Sequence, residues 1–278
     1  MSDRATQSET LIEPYRPSLS IDFSELWAYR ELIGQLVVRD ISVRYKQSVL
    51  GILWVVLTPL IMAAIFSVIF GIWARMPSGE VPYPLYFLSG LVLLTLATGC
   101  LQGVSNSVVS QARLLTKVYY PRLITPLSAT SVPLVDCFFA FLVLVALGFF
   151  YGFAPSPHLL WVAPLCVLWM WLAGLGLGTL FAALNVYYRD VGQVVPFISR
   201  IALFVSPVIY PISMIPEKWH LLYSLNPLVG AIETLRWALF GSPFPPATFF
   251  ISMGLAVAAL VIGLLYFRRM EHTFVDVV

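Results

Sequence analysis

Arg39-Asp40-Ile41-Ser42-Val43-Arg44-Tyr45-Lys46 is followed, after Gln47 and Ser48, by an apolar stretch over residues 49–74. A charged octet set against a run long enough to cross a bilayer decides the class of this protein. A hydrocarbon core about 30 Å thick takes about 20 predominantly apolar residues as a helix. Further stretches of this kind occur at 84–104, 127–153, 159–184, 194–214 and 246–267. The expected fold class is an all-α polytopic membrane protein with six transmembrane helices. Pro59 and Pro207 fall inside the first and fifth, where a kink is tolerated if neighbours satisfy the freed carbonyl.

Composition agrees. Hydrophobic residues make up 59% of the 278 and charged residues 11%, whereas soluble domains carry about a quarter charged residues. The expected organisation is a cytoplasmic N-terminal segment over 1–48, a six-span domain over 49–267 and a short cytoplasmic tail over 268–278. The first 20 residues are polar, so no cleavable signal peptide is expected and the first span acts as its own insertion signal. Cys100, Cys137 and Cys166 lie in apolar stretches without CxxC or metal-ligand spacing. They read as packing residues.

The positive charges orient the spans. With a cytoplasmic start, the inner segments hold Arg4, Arg16, Arg30, Arg39, Arg44, Lys46, Arg113, Lys117, Arg122, Arg189, Arg268 and Arg269. The outer segments hold Arg75, Lys218 and Arg236, and Arg200 falls in the fifth span. Twelve against three places both termini in the cytoplasm. Residues 215–241 imitate a seventh span, but Asn226-Pro227 divides them, and Glu233 and Arg236 would each cost about 2.5–3.5 kcal/mol in hydrocarbon. A re-entrant helix pair between the fifth and sixth spans is expected, buried in protein or lining a watery cavity.

On the cytoplasmic side, Leu26, Tyr29, Ile33 and Leu36 share one helical face within 23–47, with Glu31, Gln35 and Arg39 opposite. Asp22 and Glu25 stand at capping-box spacing. This reads as an N-terminal amphipathic interface helix, apolar side toward the membrane. Two inner loops combine aromatics with charge: Arg113, Lys117, Tyr119, Tyr120 and Arg122 in one, Tyr187, Tyr188, Arg189 and Asp190 in the other. Such loops suit docking of a partner, and equally an aromatic belt at the interface.

Intrinsic chemistry is missing. The chain has no G-x-x-x-x-G-K-[ST] loop, no H-E-x-x-H, no G-x-S-x-G, and isolated histidines. Only Asp136 and Arg200 place charge within spans, fewer groups than proton-coupled carriers usually use. No cofactor or metal is expected on this chain, and energy would come from another subunit. Phe66, Phe70 and Trp73 share a face of the first span, and Phe197, Arg200 and Phe204 share a face of the fifth. Aromatic faces suit stacking against sugar rings, although they also suit packing or lipid contact. Arg200 requires a partner, water or a passing anionic group.

The run from Arg39 through Gly51, Trp54, Pro59 and Leu60 closely resembles the signature of membrane subunits of polysaccharide-export ABC transporters, which serve O-antigen, capsule and teichoic acid. Lys117-Val118-Tyr119-Tyr120-Pro121-Arg122, Asn185-Val186-Tyr187-Tyr188-Arg189-Asp190, and Ser206-Pro207 through Asn226-Pro227 are similar to the family's later motifs. The resemblance implies a channel-forming permease in a bacterial inner membrane, working as a homodimer with two nucleotide-binding ATPase subunits that hold ATP and Mg. It also implies a lipid-linked polysaccharide as cargo, with no nucleic-acid partner. Arg39, Arg44, Tyr45 and Lys46 correspond to its gating segment and are expected to meet the lipid headgroup. Arg113, Lys117, Tyr119, Tyr120, Tyr188, Arg189 and Asp190 fall in its ATPase-coupling loops. A permease for a small amphipath or drug, and a self-sufficient carrier or membrane enzyme, are the rival readings.

Overall fold

The computed structural model describes residues 23–46, 51–153 and 156–274. The remainder, including Asp22 of the expected cap, lies outside the described residues. The chain leads in with two helices, α1 (Phe23–Ala28) and α2 (Arg30–Lys46), separated by a turn at Tyr29. The apolar face expected there docks on protein rather than lipid. Leu36 is buried, and Leu26, Tyr29 and Ile33 pack on a cluster that includes Val108, Leu115, Tyr120, Phe267 and Phe274. Trp27, Val38 and Val43 are left exposed instead.

The bundle comes next. Helix α3 (Leu53–Phe66) continues as a π-helical stretch, Ser67–Trp73. Beyond it lie α4 (Tyr83–Ser110), the short α5 (Ala112–Leu115), and α6 (Ile124–Ala129) running into α7 (Ser131–Phe150). The chain ends with α8 (Leu159–Tyr187), α9 (Val191–Val205), α10 (Glu217–Ser224), α11 (Pro227–Phe240) and α12 (Pro246–Met270).

Among the described residues, five helical segments are long and apolar enough to cross a membrane: Leu53–Trp73, Tyr83–Ser110, Ile124–Phe150, Leu159–Tyr187 and Pro246–Thr273. The expected fifth span, 194–214, departs from the sequence expectation. Helix α9 has 15 residues, about 22 Å at 1.5 Å per residue, short of the hydrocarbon core. Pro207 does not kink this helix but lies just past its end. A proline pushes the preceding residue out of helical geometry, and Ser206 is extended with φ −117° and ψ 155°.

Residues 215–241 do break at Asn226-Pro227. The Asn226 side chain accepts from the Leu228 N–H at 3.0 Å, and Pro227 occupies the first turn of α11. Both are helix-start chemistry. Gly241 ends the helix with φ 70°, left-handed geometry that suits glycine. Helix α11 is buried and packs on α4, α8 and α12. Glu233 and Arg236 are therefore not offered to lipid: they pair at 2.9 Å inside the protein.

Helix α8 is gripped from both sides. A Cβ on Gly174 would lie 2.7 Å from Cys100 Cβ, and one on Gly178 would lie 2.6 Å from Val104 Cβ, both on α4. Gly176, half a turn away, meets the backbone of α12, and Gly263 of α12 meets Gly176 in return. Small residues let membrane helices approach closely, gaining dispersion where lipid gives no hydrophobic drive. Cys100, Cys137 and Cys166 are buried and free, as packing residues should be.

Side-chain bonds tie the ends of the bundle. Asn185 Nδ2 donates to the Ser105 carbonyl at 3.0 Å and to Asn106 Oδ1 at 3.2 Å. Nearby, Tyr187 bonds Thr273, and Arg268 pairs with Glu271 at 2.7 Å. This end carries most of the basic loops. At the other end, Tyr83 Oη donates to the Ile209 carbonyl at 2.8 Å, and Ser156 Oγ to that of Ala238 at 2.7 Å.

Candidate functional site

A chamber of about 1020 Å³ opens between α2, α3, α4 and the α6–α7 span. Its longest wall is one face of α4. Leu91, Thr95, Thr98, Gln102, Ser107 and Gln111 line it, with Gly99, Gly103 and Ser110 between them. Leu91, Thr95, Thr98 and Gln102 recur every three or four residues, the spacing of a single helical face, and Gly103, Ser107 and Gln111 continue the lining in four-residue steps that wind it around the helix. From Leu91 to Gln111 the stripe runs about 30 Å at 1.5 Å per residue.

Most of the stripe is polar, in a helix whose other residues are mainly apolar. Thr95 Oγ1 donates to the Val92 carbonyl at 3.0 Å, and Thr98 Oγ1 to that of Leu94 at 2.7 Å. Their protons are thus spent locally, while oxygen lone pairs stay available to accept from a ligand hydroxyl. Gln111 Oε1 is buried and has no hydrogen-bond partner among the described residues. Across the chamber stand Trp54, Val55, Thr58, Pro59 and Met62 of α3. Pro59 has no N–H to bond the Val55 carbonyl, so the proline also frees a backbone acceptor in this wall.

The rim is charged, and every charge in it is paired. Arg39 donates to Asp40 Oδ1 from Nε at 2.9 Å and from a terminal nitrogen at 2.7 Å. Arg44 reaches Asp136 of α7 at 2.8 Å, and Tyr45 Oη donates to the other Asp136 oxygen. Burial, then the bond to Asp136 and its negative charge, push the Tyr45 phenol up to about 12. It stays a donor at neutral pH.

Sequence alone does not single out Asp136 as a site residue. A signal for it exists, since an acid within a span needs a cationic partner, but chain distance does not name that partner: Arg122 is far nearer to Asp136 in sequence than Arg44 is. The α4 stripe also has a signal, in hydroxyl and amide residues recurring at helical spacing inside a span.

The structure brings Arg39, Arg44 and Tyr45 to the chamber, whereas Lys46 is exposed and outside its lining. Phe66 and Phe70 lie elsewhere. Phe66 stacks on Phe70 at 5.5 Å and on Phe87 at 4.5 Å, packing α3 onto α4. Trp73 is exposed, and Phe197, Arg200 and Phe204 share the exposed face of α9. None of these six lines the chamber.

At the basic end, Arg113, Lys117, Tyr119, Tyr188, Arg189 and Asp190 are all exposed. Tyr120 is not. It is buried in the cluster beneath α2, with its hydroxyl 3.2 Å from Thr125 Oγ1, so its ring holds the loop rather than presenting it. Burial pushes its phenol up as well. The bond from Asn185 to the end of α4 keeps the two exposed loops on one side of the molecule.

Residues 31–240 match the ABC-2 type transporter membrane family. The chain is 27% identical over 248 residues to the O-antigen export system permease protein RfbA of Klebsiella pneumoniae, covering 89% of this chain and 95% of that one. It is 29% identical over 226 residues to the protein of the same name from Myxococcus xanthus, covering 80% and 85%. To the polysialic acid transport protein KpsM of Escherichia coli it is 23% identical over 260 residues, covering 86% and 93%. Five membrane-length segments among the described residues, a chamber with a hydroxyl- and amide-bearing wall and a charged rim, and these similarities along most of the chain make one case: this protein belongs to the ABC-2 type transporter family and is similar to permeases of polysaccharide export.

Proposed function

We propose that this chain is the channel-forming permease of an ATP-driven exporter that carries a lipid-linked, O-antigen-like polysaccharide across a bacterial inner membrane. The observation that carries the reading is the α4 stripe, a polar wall about 30 Å long beside a charged rim, in a chain similar to O-antigen permeases. Hydroxyl and amide acceptors suit a sugar chain, which offers hydroxyl donors along its length.

The working unit is a homodimer with two ATPase subunits that bind ATP and Mg. Arg200 supports the dimer. On α9 it is exposed beside Phe197 and Phe204, and a cation facing lipid costs about 2.5–3.5 kcal/mol near mid-bilayer. A seam between two copies, lined by these residues and by Phe66, Phe70 and Trp73 as expected from sequence, removes that cost with water or a passing phosphate. Helix α9 together with the turn and bend segment 206–211 makes the fifth of the six crossings, and α10 and α11 return to the outer side as the re-entrant pair. Both termini then lie in the cytoplasm, and Trp27, Val38 and Val43 turn the lead-in helices toward the membrane surface. The exposed loops around Arg113, Lys117, Tyr119, Tyr188, Arg189 and Asp190 receive the ATPase.

Native mass spectrometry of the gently solubilised complex from its own host tests the assembly. Two copies of this chain with two of an ATPase are expected. Deleting the gene tests the cargo: surface polysaccharide should be lost while lipid-linked polymer accumulates inside the cell. A lone chain, or unchanged surface glycan, would sink the reading.

A further inference from the structure

Arg39 and Arg44 are expected from sequence to attract an anionic headgroup, yet both are already matched by carboxylates. Arg39 holds Asp40 of its own helix. Arg44 crosses to Asp136, 92 residues on in sequence. All four side chains and Tyr45 line the chamber, so among these groups two guanidinium charges meet two carboxylate charges and cancel. The two pairs differ in consequence. Exchange at Arg39 frees only a neighbour, whereas exchange at Arg44 unties α2 from α7.

We propose that the Arg44–Asp136 pair is a charge latch, in which a phosphate-bearing lipid headgroup takes Arg44 in place of Asp136 and releases α2 from α7. The latch rests on the proposed function, in which the cargo rides on a lipid phosphate. Its energetics are permissive. The Arg44 and Asp136 side chains are 54% and 26% exposed, and half-exposed ion pairs are worth little. A diphosphate offers a guanidinium several anionic oxygens and a two-pronged contact. The displaced Asp136 is left facing a chamber of about 1020 Å³, wide enough for water to solvate it, so no buried bare charge results. Tyr45, adjacent to Arg44, redirects the hydrogen bond of its hydroxyl from Asp136 to the same phosphate. Helices α2 and α7 both line the chamber, so the release of one from the other loosens it at the moment of loading.

The test uses the full chain co-purified with its ATPase in lipid nanodiscs, and a fluorescent isoprenoid diphosphate as probe. The matching isoprenoid alcohol and inorganic pyrophosphate serve as comparisons. Asp136→Asn removes the competitor for Arg44 and should tighten binding by about three- to fivefold, the scale of one half-exposed ion pair. Arg44→Gln should lose most binding, with or without the Asp136 change. In the wild type, a hydrophobic carbodiimide should label Asp136 faster when the isoprenoid diphosphate is bound, a readout that depends on no variant folding. Unchanged or weaker affinity in Asp136→Asn, or a labelling rate indifferent to the probe, overturns the latch. Pyrophosphate binding as well as the isoprenoid diphosphate overturns its assignment to a membrane headgroup. If the latch fails while gene deletion still abolishes surface glycan, the export reading stands alone. If the wild type ignores the isoprenoid diphosphate and deletion leaves the glycan intact, both fall.

Discussion

The guanidinium carbon of Arg236 lies 3.6 Å from the centre of the Tyr86 ring, although 150 residues separate them in sequence. The same side chain donates to Tyr86 Oη at 2.7 Å, Ser89 Oγ at 3.2 Å and Glu233 at 2.9 Å. One buried cation thus clamps α11 to α4. Removing one member of a buried pair leaves the other uncompensated and costs about 3–5 kcal/mol. Arg236→Gln is therefore expected to lower stability by roughly 3 kcal/mol, and Arg236→Lys by less, since it keeps the charge but loses the planar fork. Denaturant unfolding of the purified protein checks both. A loss below about 1 kcal/mol for Arg236→Gln would mean water already satisfies Glu233.

The glycines of α8 predict an asymmetric response to a single added methyl. Gly176→Ala and Gly263→Ala force the α8 and α12 backbones apart, and overpacking of this kind costs about 1–3 kcal/mol or more. Gly254→Ala on the same α12 has nothing within 4 Å of its added Cβ and should be neutral or slightly stabilising. Parallel melting curves for the three variants decide it, and equal shifts would remove the close-packing argument.

Tyr120 and Tyr119 are adjacent but should behave oppositely. Tyr120→Ala empties part of the core beneath α2, and aromatic truncations of this type cost about 3–5 kcal/mol. Tyr119→Ala, Lys117→Glu and Arg189→Glu alter exposed groups and should leave the melting temperature alone while reducing the ATPase recovered by co-purification. Unaltered recovery in all three would move the docking surface elsewhere.

The α4 stripe predicts a transport phenotype without a folding one. Thr98→Val and Gln102→Leu keep shape while removing acceptors, so assembly and ATP binding should persist. On the proposed export function, surface glycan should fall several-fold, measured against protein level in the membrane. Normal export by the double variant would mean that the polymer takes another route.

Tyr45 gives a pH signature. Its phenol is raised from 10.0 to about 12 in the folded protein, so folding favours the protonated form. That contribution is complete below pH 10.0 and disappears as pH climbs toward about 12. The difference titration between wild type and Tyr45→Phe, followed by tyrosinate absorbance, should show one late-ionising phenol. An ordinary midpoint would mean that Tyr45 is neither buried nor held against Asp136 as the structure has it.

Local composition and spacing suffice for the outline of this protein. Apolar length marks the five long segments, charge asymmetry separates the basic loops from the rest, and Asn226-Pro227 divides α10 from α11. These features are local because burying backbone in lipid demands helices, and proline acts on its immediate neighbours. The short α9 escapes the same logic because hydropathy continues through Ser206-Pro207 while helical geometry does not. Which faces meet is a matter of tertiary packing. Phe66 stacks on both Phe70 and Phe87 of α4, a contact its own span does not announce; Tyr120 suggests an exposed loop yet is core; Arg236 suggests a cost in lipid yet is clamped by Tyr86 and Glu233. Asp136 finds its partners in Arg44 and Tyr45 across 92 and 91 residues of chain. Pairings over such distances are set by how whole helices pack, through backbone approach at Gly174, Gly176 and Gly178, and no window of sequence contains both sides of such a contact.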